Sequence, residues 1–339
     1  MALTPTLLAD YASVLSEKGL DFHEQRIGTY GGYQFAKKDA DNIVNVNDIN
    51  SGRTAPSRVV KVPVLNKETV TINGARSLTI TGNDSTSAFQ TVTYVTLSSD
   101  ITMRPIENDG NYISYLRQFE LKMEALEFAW LKQLDQLVVN GLILGRTQFD
   151  ASAGVPYALV GNILQVPNAN KLDFFNEIDA IYDVNEFNSD MLTILGSSRV
   201  KSLVHELDEN ALYNAENKLI RLDNKEVAYS TRVPFAGSYG AFVLLKNSCG
   251  ILNWNSPEAV RGYKESESKF KTIEYLPRVG MDVEVLWDNS FTDLSGTLGA
   301  GTETAMVHRM QFSTDVAIVT AYNSAPLTQA SPIFQVNIV

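Results

Sequence analysis

The sequence predicts an α+β fold, and three observations along its 339 residues indicate it. Residues 58–106 are rich in β-branched and aromatic side chains, which suit strands. Residues 112–144 carry one apolar stripe at spacings of three and four, which predicts a single long helix. Short helical and strand-like patterns alternate in the second half of the chain. Hydrophobic residues make up 44% and charged residues 20%, so the composition excludes disordered and collagen-like proteins.

The first 57 residues are predicted to form a short helix followed by an extended arm. Apolar residues recur at helical spacing over residues 3–18, and Pro5 suits the first turn of a helix. Residues 19–57 are rich in Gly, Asn and Asp and show no sustained helical period. A segment of this length without structure of its own is expected to lie on another surface.

Residues 58–106 are predicted to be a long, polar β-hairpin. Its strand-like runs lie at 59–64, 69–72, 78–80 and 89–97. Asn73-Gly74 lies between two of these runs and is a strong hairpin-turn signal. Isolated hairpins are marginally stable in water, so this one is expected to need a partner surface.

The remaining residues predict the long helix and then a mixed α/β region. The helix over 112–144 would be about 50 Å long if unbroken, and Gly145 can end it. Two further helices are predicted at 172–187 and 197–207. Strands are predicted at 191–195, 227–230, 242–245, 270–276, 282–288, 306–312 and 316–322. A turn at Ser313-Thr314-Asp315 is expected to separate the last two strands.

The sequence offers no pattern for catalysis or for a metal. Its three histidines are far apart, and His205-Glu206 lacks the second histidine of a zincin motif, because Glu209 stands in that place. Cys249 is the only cysteine, so neither an intrachain disulfide nor a C-x-x-C zinc site can form. No phosphate-binding glycine motif and no G-x-S-x-G motif occur. We therefore predict no catalytic, cofactor-binding or metal-binding residues, and no enzyme.

The chain is acidic, with a net charge of −11 and a pI of about 4.8. Such a chain is a poor general binder of nucleic acid, because phosphate contacts are made mostly by Lys and Arg. It has neither a basic, apolar secretory signal nor an apolar run of 18 residues. Synthesis in the cytosol and the absence of a membrane span are therefore expected.

Taken in order, the arm, the β-rich excursion, the long helix and the α/β region resemble the major capsid protein of tailed bacteriophages. This fold is shared with encapsulins and herpesvirus capsid floors. Residues 59–106 resemble the extended loop (E-loop) of the family, and residues 112–144, with Leu134-Asp135, resemble its spine helix. Residues 277–285 and 306–322 resemble its closing β-strands.

The resemblance implies a division of the chain into four parts. These are the N-terminal helix and arm (1–57), the E-loop hairpin (58–106), the peripheral domain (107–189 and 261–339, with the spine helix at about 112–144 and closing strands over 270–322) and the axial domain (190–260). It also implies a function. Copies of the chain would assemble, as hexameric and pentameric capsomers, into an icosahedral shell around a double-stranded DNA phage genome.

The resemblance implies partners and a location as well. The partners beyond the chain's own copies are portal, scaffolding and decoration proteins, and DNA is enclosed without sequence-specific binding. The chain would be made in the cytoplasm of a bacterial host and end in the virion capsid. Two alternatives stay open, which are the shell of an encapsulin-type nanocompartment and a soluble two-domain enzyme.

One contact between copies is predicted from charge, because residues 51–104 carry a net charge of +3 in an acidic chain. The basic residues predicted to make this contact are Arg58, Lys61, Lys67 and Arg76. The acidic residues, which recur at spacings of four and three along the long helix, are Glu120, Glu124 and Glu127. Like charges at those spacings repel, so we expect the acidic face to meet the basic hairpin of a neighbouring copy, or its arm at Lys37 and Lys38. The alternative is an acidic face that contacts only solvent or the lumen of the shell.

Overall fold

The structure is a computed structural model, and it confirms the α+β class. It describes residues 11, 30–43, 59–64, 72, 88–104, 112–146, 157–184, 187, 192–206, 212–214, 219–222, 225–293, 304–320 and 333–339. Most of the predicted helix at 3–18 lies outside these residues, as do the Asn73-Gly74 turn and nearly all of the predicted strands at 69–72 and 78–80.

The helices of the described residues include the predicted long one. They are α1 (Gly31–Ile43), α2 (Tyr112–Gly145), α3 (Lys171–Val184), α4 (Val200–Glu206) and α5 (Pro257–Arg261). Helix α2 has 34 residues and begins and ends within one residue of the predicted bounds. Helices α3 and α4 confirm the two shorter predicted helices, with ends shifted by up to three residues.

The described strands form a two-stranded ribbon, a five-stranded sheet and an eight-stranded sheet. The ribbon pairs β1 (Val59–Val64) with β2 (Ala88–Thr93). The five-stranded sheet contains β3 (Val95–Met103), β11 (Cys249–Trp254), β12 (Lys269–Leu276), β13 (Met281–Asp293) and β14 (Thr304–Thr320). The eight-stranded sheet has the order β4 (Ala158–Val160), β5 (Ile163–Val166), β15 (Ile333–Ile338), β10 (Tyr239–Leu245), β6 (Leu192–Gly196), β9 (Lys225–Tyr229), β8 (Leu219–Leu222), β7 (Leu212–Asn214).

One hydrophobic core joins α2 to both large sheets. Phe119, Met123 and Leu134 of α2 are fully buried in it. The five-stranded sheet contributes residues such as Trp287, and the eight-stranded sheet contributes residues such as Phe242. The opposite face of the eight-stranded sheet packs in a second core with α3 and α4. The central strands of that sheet are therefore buried on both faces, and every residue of β6 and of β15 is buried.

Strand β14 is continuous where the sequence predicted a turn at Ser313-Thr314-Asp315, and that prediction is wrong. The strand pairs with β13 over residues 304–313, with β3 over 308–316 and with β11 over 315–320. Its polar residues have hydrogen-bond partners on these neighbouring strands or directly next to them. Thr314 Oγ1 donates a hydrogen bond to Asn255 Oδ1 at 2.8 Å, and Asp315 Oδ1 accepts one from Thr96 Oγ1 at 2.7 Å. Cross-strand bonding thus keeps a turn-like sequence extended.

The strand predicted at 89–97 is interrupted at Tyr94. Beyond this residue β3 pairs with β14, whereas before it β2 pairs with β1, from Val59 opposite Thr93 to Val64 opposite Ala88. The Tyr94 ring is buried in a small separate apolar cluster. The other members of this cluster are Val92, Leu252, Trp254, Ala317 and Val319. The ribbon, which we call the hairpin stem, therefore leaves the five-stranded sheet at a fixed, buried point.

Helix α1 lies in the predicted arm, where no helical period is visible in the sequence. Gly31 and Gly32 are typical of a loop, but here they permit close packing. A Cβ at residue 31 would lie 2.5 Å from the carbonyl oxygen of Tyr229, and one at residue 32 would lie 2.9 Å from Oδ1 of Asp135. The missing side chains let α1 approach β9 and α2. Such tertiary contacts leave no trace in the local sequence pattern.

Strand pairing joins segments that the resemblance places in different domains, and the domain boundaries themselves stay a prediction. Strands β4, β5 and β15 fall in the expected peripheral domain, yet they pair in the sheet that contains β6 to β10. Strand β11 falls in the expected axial domain over 190–260, yet it pairs with β14. These pairings, such as the parallel pair of β15 with β5, join segments far apart in sequence, so no local pattern reveals them.

Candidate functional site on the long helix

The residues predicted to make contacts between copies are only partly described. Lys61 lies in β1, on the hairpin stem. The residues outside the described part of the chain are Arg58, Lys67 and Arg76. On α2, Glu120 and Glu124 are partly exposed, but Glu127 is fully buried. The prediction that the acidic face of α2 points outward is therefore wrong at Glu127, because this side chain is buried. The contact between copies stays a prediction.

Glu127 faces partners from two distant parts of its own chain. Its Oε2 accepts a hydrogen bond of 2.8 Å from the hydroxyl of Tyr11. Its Oε1 accepts one of 3.2 Å from the backbone N–H of Arg278, in the turn between β12 and β13. The Arg278 Nε lies 3.7 Å from Oε2. Glu127 therefore connects the N-terminal segment, the long helix and the five-stranded sheet.

Arg278 is the basic residue that contacts Glu124 and Glu127 of α2. Its side chain is only 10% exposed, and its Nη1 lies 3.5 Å from Oε1 of Glu124. Its guanidinium lies over the Phe128 ring, 5.5 Å from the centroid. A cation from the same chain thus contacts both Glu124 and Glu127, where the sequence suggested the basic hairpin of a neighbour.

The arm lysines also have partners within their own chain. Lys37 Nζ donates a hydrogen bond of 2.5 Å to the carbonyl oxygen of Gly280. Lys38 Nζ contacts both carboxylate oxygens of Glu226, each at 3.0 Å. The expectation that these two lysines meet the acidic face of a neighbouring copy is not supported by this geometry, because each is engaged at the surface of its own chain.

Asp135 is a second buried carboxylate, about two turns further along α2. Its Oδ1 accepts a hydrogen bond of 3.0 Å from the backbone N–H of Tyr33, in the first turn of α1. Its Oδ2 accepts one of 2.5 Å from the Ser230 hydroxyl and lies 3.6 Å from Nη1 of Arg232. The Asp135 carboxylate therefore lies at the N-terminus of α1. A carboxylate in this position accepts hydrogen bonds from N–H groups that lack intrahelical partners, and its charge is attracted by the positive end of the helix dipole.

Sequence reasoning missed the interior position of both carboxylates, although a signal for it was present. Glu127 is four residues from Met123 and from Leu131, and Asp135 is four residues from Leu131 and from Val139. All three of these apolar residues are buried. An acidic residue within an apolar stripe at helical spacing therefore indicates a buried carboxylate with partners elsewhere in the chain.

Burial sets the protonation behaviour of the two carboxylates. It raises the pKa of Glu127 above its usual value, by more than the hydrogen bonds from Tyr11 and Arg278 lower it. Burial also raises the pKa of Asp135, by more than the bonds from Ser230 and Tyr33 and the charge of Arg232 lower it. Both groups are surrounded by donors, which suits them to join elements of the fold.

Replacing Glu127 with glutamine should make the stability of the chain less dependent on pH. A carboxyl whose pKa is higher in the folded state binds its proton more tightly there, so it adds stability as the pH falls toward the usual glutamate pKa of about 4.5. When the pH is lowered from 8 to 5, we expect the free energy of unfolding of the unsubstituted chain to rise relative to that of Glu127→Gln. Urea unfolding at several pH values measures this difference.

The control for this experiment is Glu267→Gln, because Glu267 is exposed. That variant should follow the unsubstituted chain at every pH. A difference between the unsubstituted chain and Glu127→Gln that stays constant, or shrinks as the pH falls, would contradict a raised pKa at Glu127.

Two further observations concern the described part of the chain. No group of three or more His, Cys, Asp or Glu residues there lies close enough to hold a metal ion. None of its helices combines the length and the apolar character needed to cross a membrane.

Comparison with known proteins gives similar solved structures only. No family model matches the sequence, and no curated protein matches it. A structure from Mycobacterium phage Che8 is 7% identical, with 85% of this chain and 87% of that chain covered and a TM-score of 0.49. The capsid of a native GTA particle is 10% identical, with 84% and 86% covered and a TM-score of 0.48. The capsid of Cyanophage P-SCSP1u is 9% identical, with 84% of each chain covered and a TM-score of 0.47.

Proposed function

We propose that this chain is a structural protein that assembles with copies of itself into the icosahedral capsid of a tailed, double-stranded DNA bacteriophage. The resemblance of its sequence to the major capsid proteins of such phages implies this function. The observation that carries the proposal is the hairpin stem, which leaves the five-stranded sheet at Tyr94 and in which β1 pairs with no described strand except β2.

Among the described residues, the hairpin stem is held at its base, where Val92 is buried in the cluster with Trp254 and Val319. Strand β1 pairs with β2 and, among the described residues, with no other strand. Six residues per strand make the ribbon about 20 Å long. Thr91 and Thr93 of β2 are exposed, and Ile72, beyond the stem, is 91% exposed. A two-stranded ribbon with an exposed apolar residue beyond it needs a covering surface, and a copy of the same chain is the simplest source because most oligomers are homomeric.

The anchoring of the stem supports a role in assembly. The Tyr94 ring is 2% exposed in its cluster with Leu252 and Trp254. Packing of this kind fixes the direction in which the stem leaves the sheet. An element that is held at its base, with Ile72 exposed beyond it, is suited to reach a neighbour in a defined geometry, as a regular shell requires.

The proposal extends to partners and location. Hexameric and pentameric capsomers would form the shell, with portal, scaffolding and decoration proteins as further partners, and the virion would be its location. The net charge of −11 supports enclosure of DNA without tight, sequence-specific binding. The proposed role is structural, with no cofactor.

Removing the hairpin should abolish assembly without unfolding the chain. Val64 and Ala88 are paired at the end of the stem, so residues 65–87 can be replaced by Asn-Gly, which favours a two-residue hairpin turn. We expect the unsubstituted chain to form hexamers, pentamers or closed shells in light scattering and electron microscopy. The shortened chain should stay a folded monomer with a melting temperature within a few degrees of the original.

Two results would count against the proposed function. One is an unsubstituted chain that remains a 37.4-kDa monomer at high concentration, with and without a scaffolding protein. The other is normal shell formation by the shortened chain, because the hairpin would then have no part in assembly.

The charge contact predicted from sequence can be tested at Glu120, which is partly exposed. Glu120→Lys should weaken assembly if Glu120 meets the basic hairpin of a neighbour, and Arg58→Glu with Arg76→Glu should then partly restore it. The effect should shrink at high salt, because exposed charges are screened within about 3 Å at 1 M salt. Unchanged assembly of Glu120→Lys would leave the acidic face without a role between copies.

A further inference from the structure

A small cavity of about 210 Å³ lies between the first two turns of α1 and the turn that joins β12 to β13. Its charged and amide groups come from Gln34 and Lys37 of α1 and from Arg278 of the turn. Among the described residues that line the cavity, none is acidic, although Asp and Glu outnumber Lys and Arg by 39 to 28 in the chain. The cavity therefore has a basic lining in an acidic molecule.

Lys37 brings an ammonium group to this cavity without an acidic partner among the described residues. Its Nζ donates a hydrogen bond of 2.5 Å to the carbonyl oxygen of Gly280. An ammonium has three N–H donors, so two stay available for another acceptor. Partial burial lowers the pKa of Lys37, and a nearby anion would favour the charged form of the side chain.

Gly280 makes room for the Lys37 ammonium group. Its φ of +70° lies in the left-handed region that favours glycine. A Cβ at this position would overlap Lys37 Nζ. The turn therefore holds the ammonium group through a backbone carbonyl and keeps the space beside it open.

Arg278 supplies a second cation, and part of its donor capacity is unused. Its Nη1 lies 3.5 Å from Glu124 and its Nε lies 3.7 Å from Glu127, which are ion-pair distances but too long for good hydrogen bonds. Both nitrogens are buried, and no acceptor among the described residues bonds to them. This leaves Nη2 as the guanidinium nitrogen for a ligand in the cavity. The two glutamates balance the charge of Arg278, so Lys37 supplies the positive charge that remains.

We propose that this cavity binds a phosphate group through Lys37, Arg278 and Gln34. A phosphate group offers several strong acceptor oxygens, which suit an ammonium, a guanidinium and an amide that line one small cavity. The group can be free phosphate or the phosphate of a nucleotide, because Tyr275 also lines the cavity, is 59% exposed and offers a ring for a base to stack on. The site lies within one chain, so it goes beyond the proposed function and does not depend on assembly.

A titration with inorganic phosphate tests the site, on the unassembled chain and at constant ionic strength set by chloride. Phosphorus NMR should show saturable binding of one phosphate per chain. Lys37→Gln should weaken this binding about tenfold or more, since tenfold corresponds to about 1.4 kcal/mol and a hydrogen bond to a charged group is worth at least about that much. Lys37 is exposed, so the melting temperature should not change. The matched control is Lys132→Gln, exposed on α2 and outside the cavity, which should bind phosphate normally.

Chemical labelling of lysine amines provides a second measurement that needs no substitution. An acylating reagent is applied with and without inorganic phosphate, and mass spectrometry follows each lysine. Phosphate should slow the labelling of Lys37 and leave that of Lys132 unchanged. Repeating the experiment with adenosine monophosphate distinguishes the two sources. Stronger protection by the nucleotide at equal concentration assigns a nucleotide phosphate to the site, and equal protection assigns free phosphate.

Three results would overturn the phosphate site. One is an unsubstituted chain that binds no phosphate, and another is equal binding by Lys37→Gln. The third is equal slowing of the labelling of Lys37 and Lys132, because phosphate would then act on exposed lysines in general. None of these results bears on the proposed shell function, which is tested by assembly.

Discussion

Replacing Asp135 with alanine is expected to lower the free energy of unfolding by about 3–5 kcal/mol, the usual range when one partner of a buried ion pair is removed. Arg232 would keep its charge in a site where its side chain is only 14% exposed. The Ser230 hydroxyl and the Tyr33 N–H would lose their acceptor, and α1 would lose the carboxylate at its N-terminus. Urea unfolding followed by circular dichroism, on the unassembled chain, measures the loss.

Two comparisons separate the charge of Asp135 from its other roles. Asp135→Asn keeps an acceptor for the Tyr33 N–H but removes the charge, so its loss should be smaller than that of the alanine variant. Asp183→Ala removes an exposed aspartate of α3 and should change stability by no more than about 0.5 kcal/mol. Equal losses for Asp135→Ala and Asp183→Ala would show that the buried carboxylate does not hold the three elements together.

Replacing Trp287 with alanine is expected to cost about 3–5 kcal/mol, because large aromatic residues leave large cavities when removed from a packed core. The Trp287 side chain is fully buried and stacks on Phe270, with centroids 5.8 Å apart and planes at 17°. Its Nε1–H donates a 2.9 Å hydrogen bond to Thr272 Oγ1. The same unfolding measurement applies, and loss of tryptophan fluorescence confirms the substitution.

Trp287→Phe provides the matched variant. It keeps a ring to stack on Phe270 but leaves the Thr272 hydroxyl without its donor, so its loss should be smaller than that of the alanine variant. If phenylalanine and alanine destabilised the chain equally, stacking would contribute little and the expected order would be wrong.

Secondary structure that follows from local periodicity could be predicted well from this sequence. The stripe of α2 fixed the helix to within one residue at each end, because one face packs in a core along its whole length. The predicted turn at 313–315 failed because its polar residues bond to Trp254 and Thr96 on other strands and to Asn255 directly after β11. Strand β15 was not predicted, and its neighbours β5 and β10 lie elsewhere in the sequence.

The candidate site was predicted only in part, for a related reason. The sequence singled out Glu127 as one of three acidic residues on the long helix, but its partners lie 116 and 151 positions away, at Tyr11 and Arg278. Asp135 meets Ser230 across 95 positions. Charge and spacing show that a carboxylate lies on a helix, but only the folded chain shows which distant donors surround it.

The length of β14 has a mechanical consequence. Its residues 308–316 pair with β3, and β3 leads directly into the stem through Tyr94. A pull along the stem therefore loads the β3–β14 ladder parallel to the strands, so its nine paired positions resist together and do not open one after another. On its other edge β14 passes the load to β13 and β11. Tension applied at the hairpin would thus spread across the five-stranded sheet before any single hydrogen bond carried it alone.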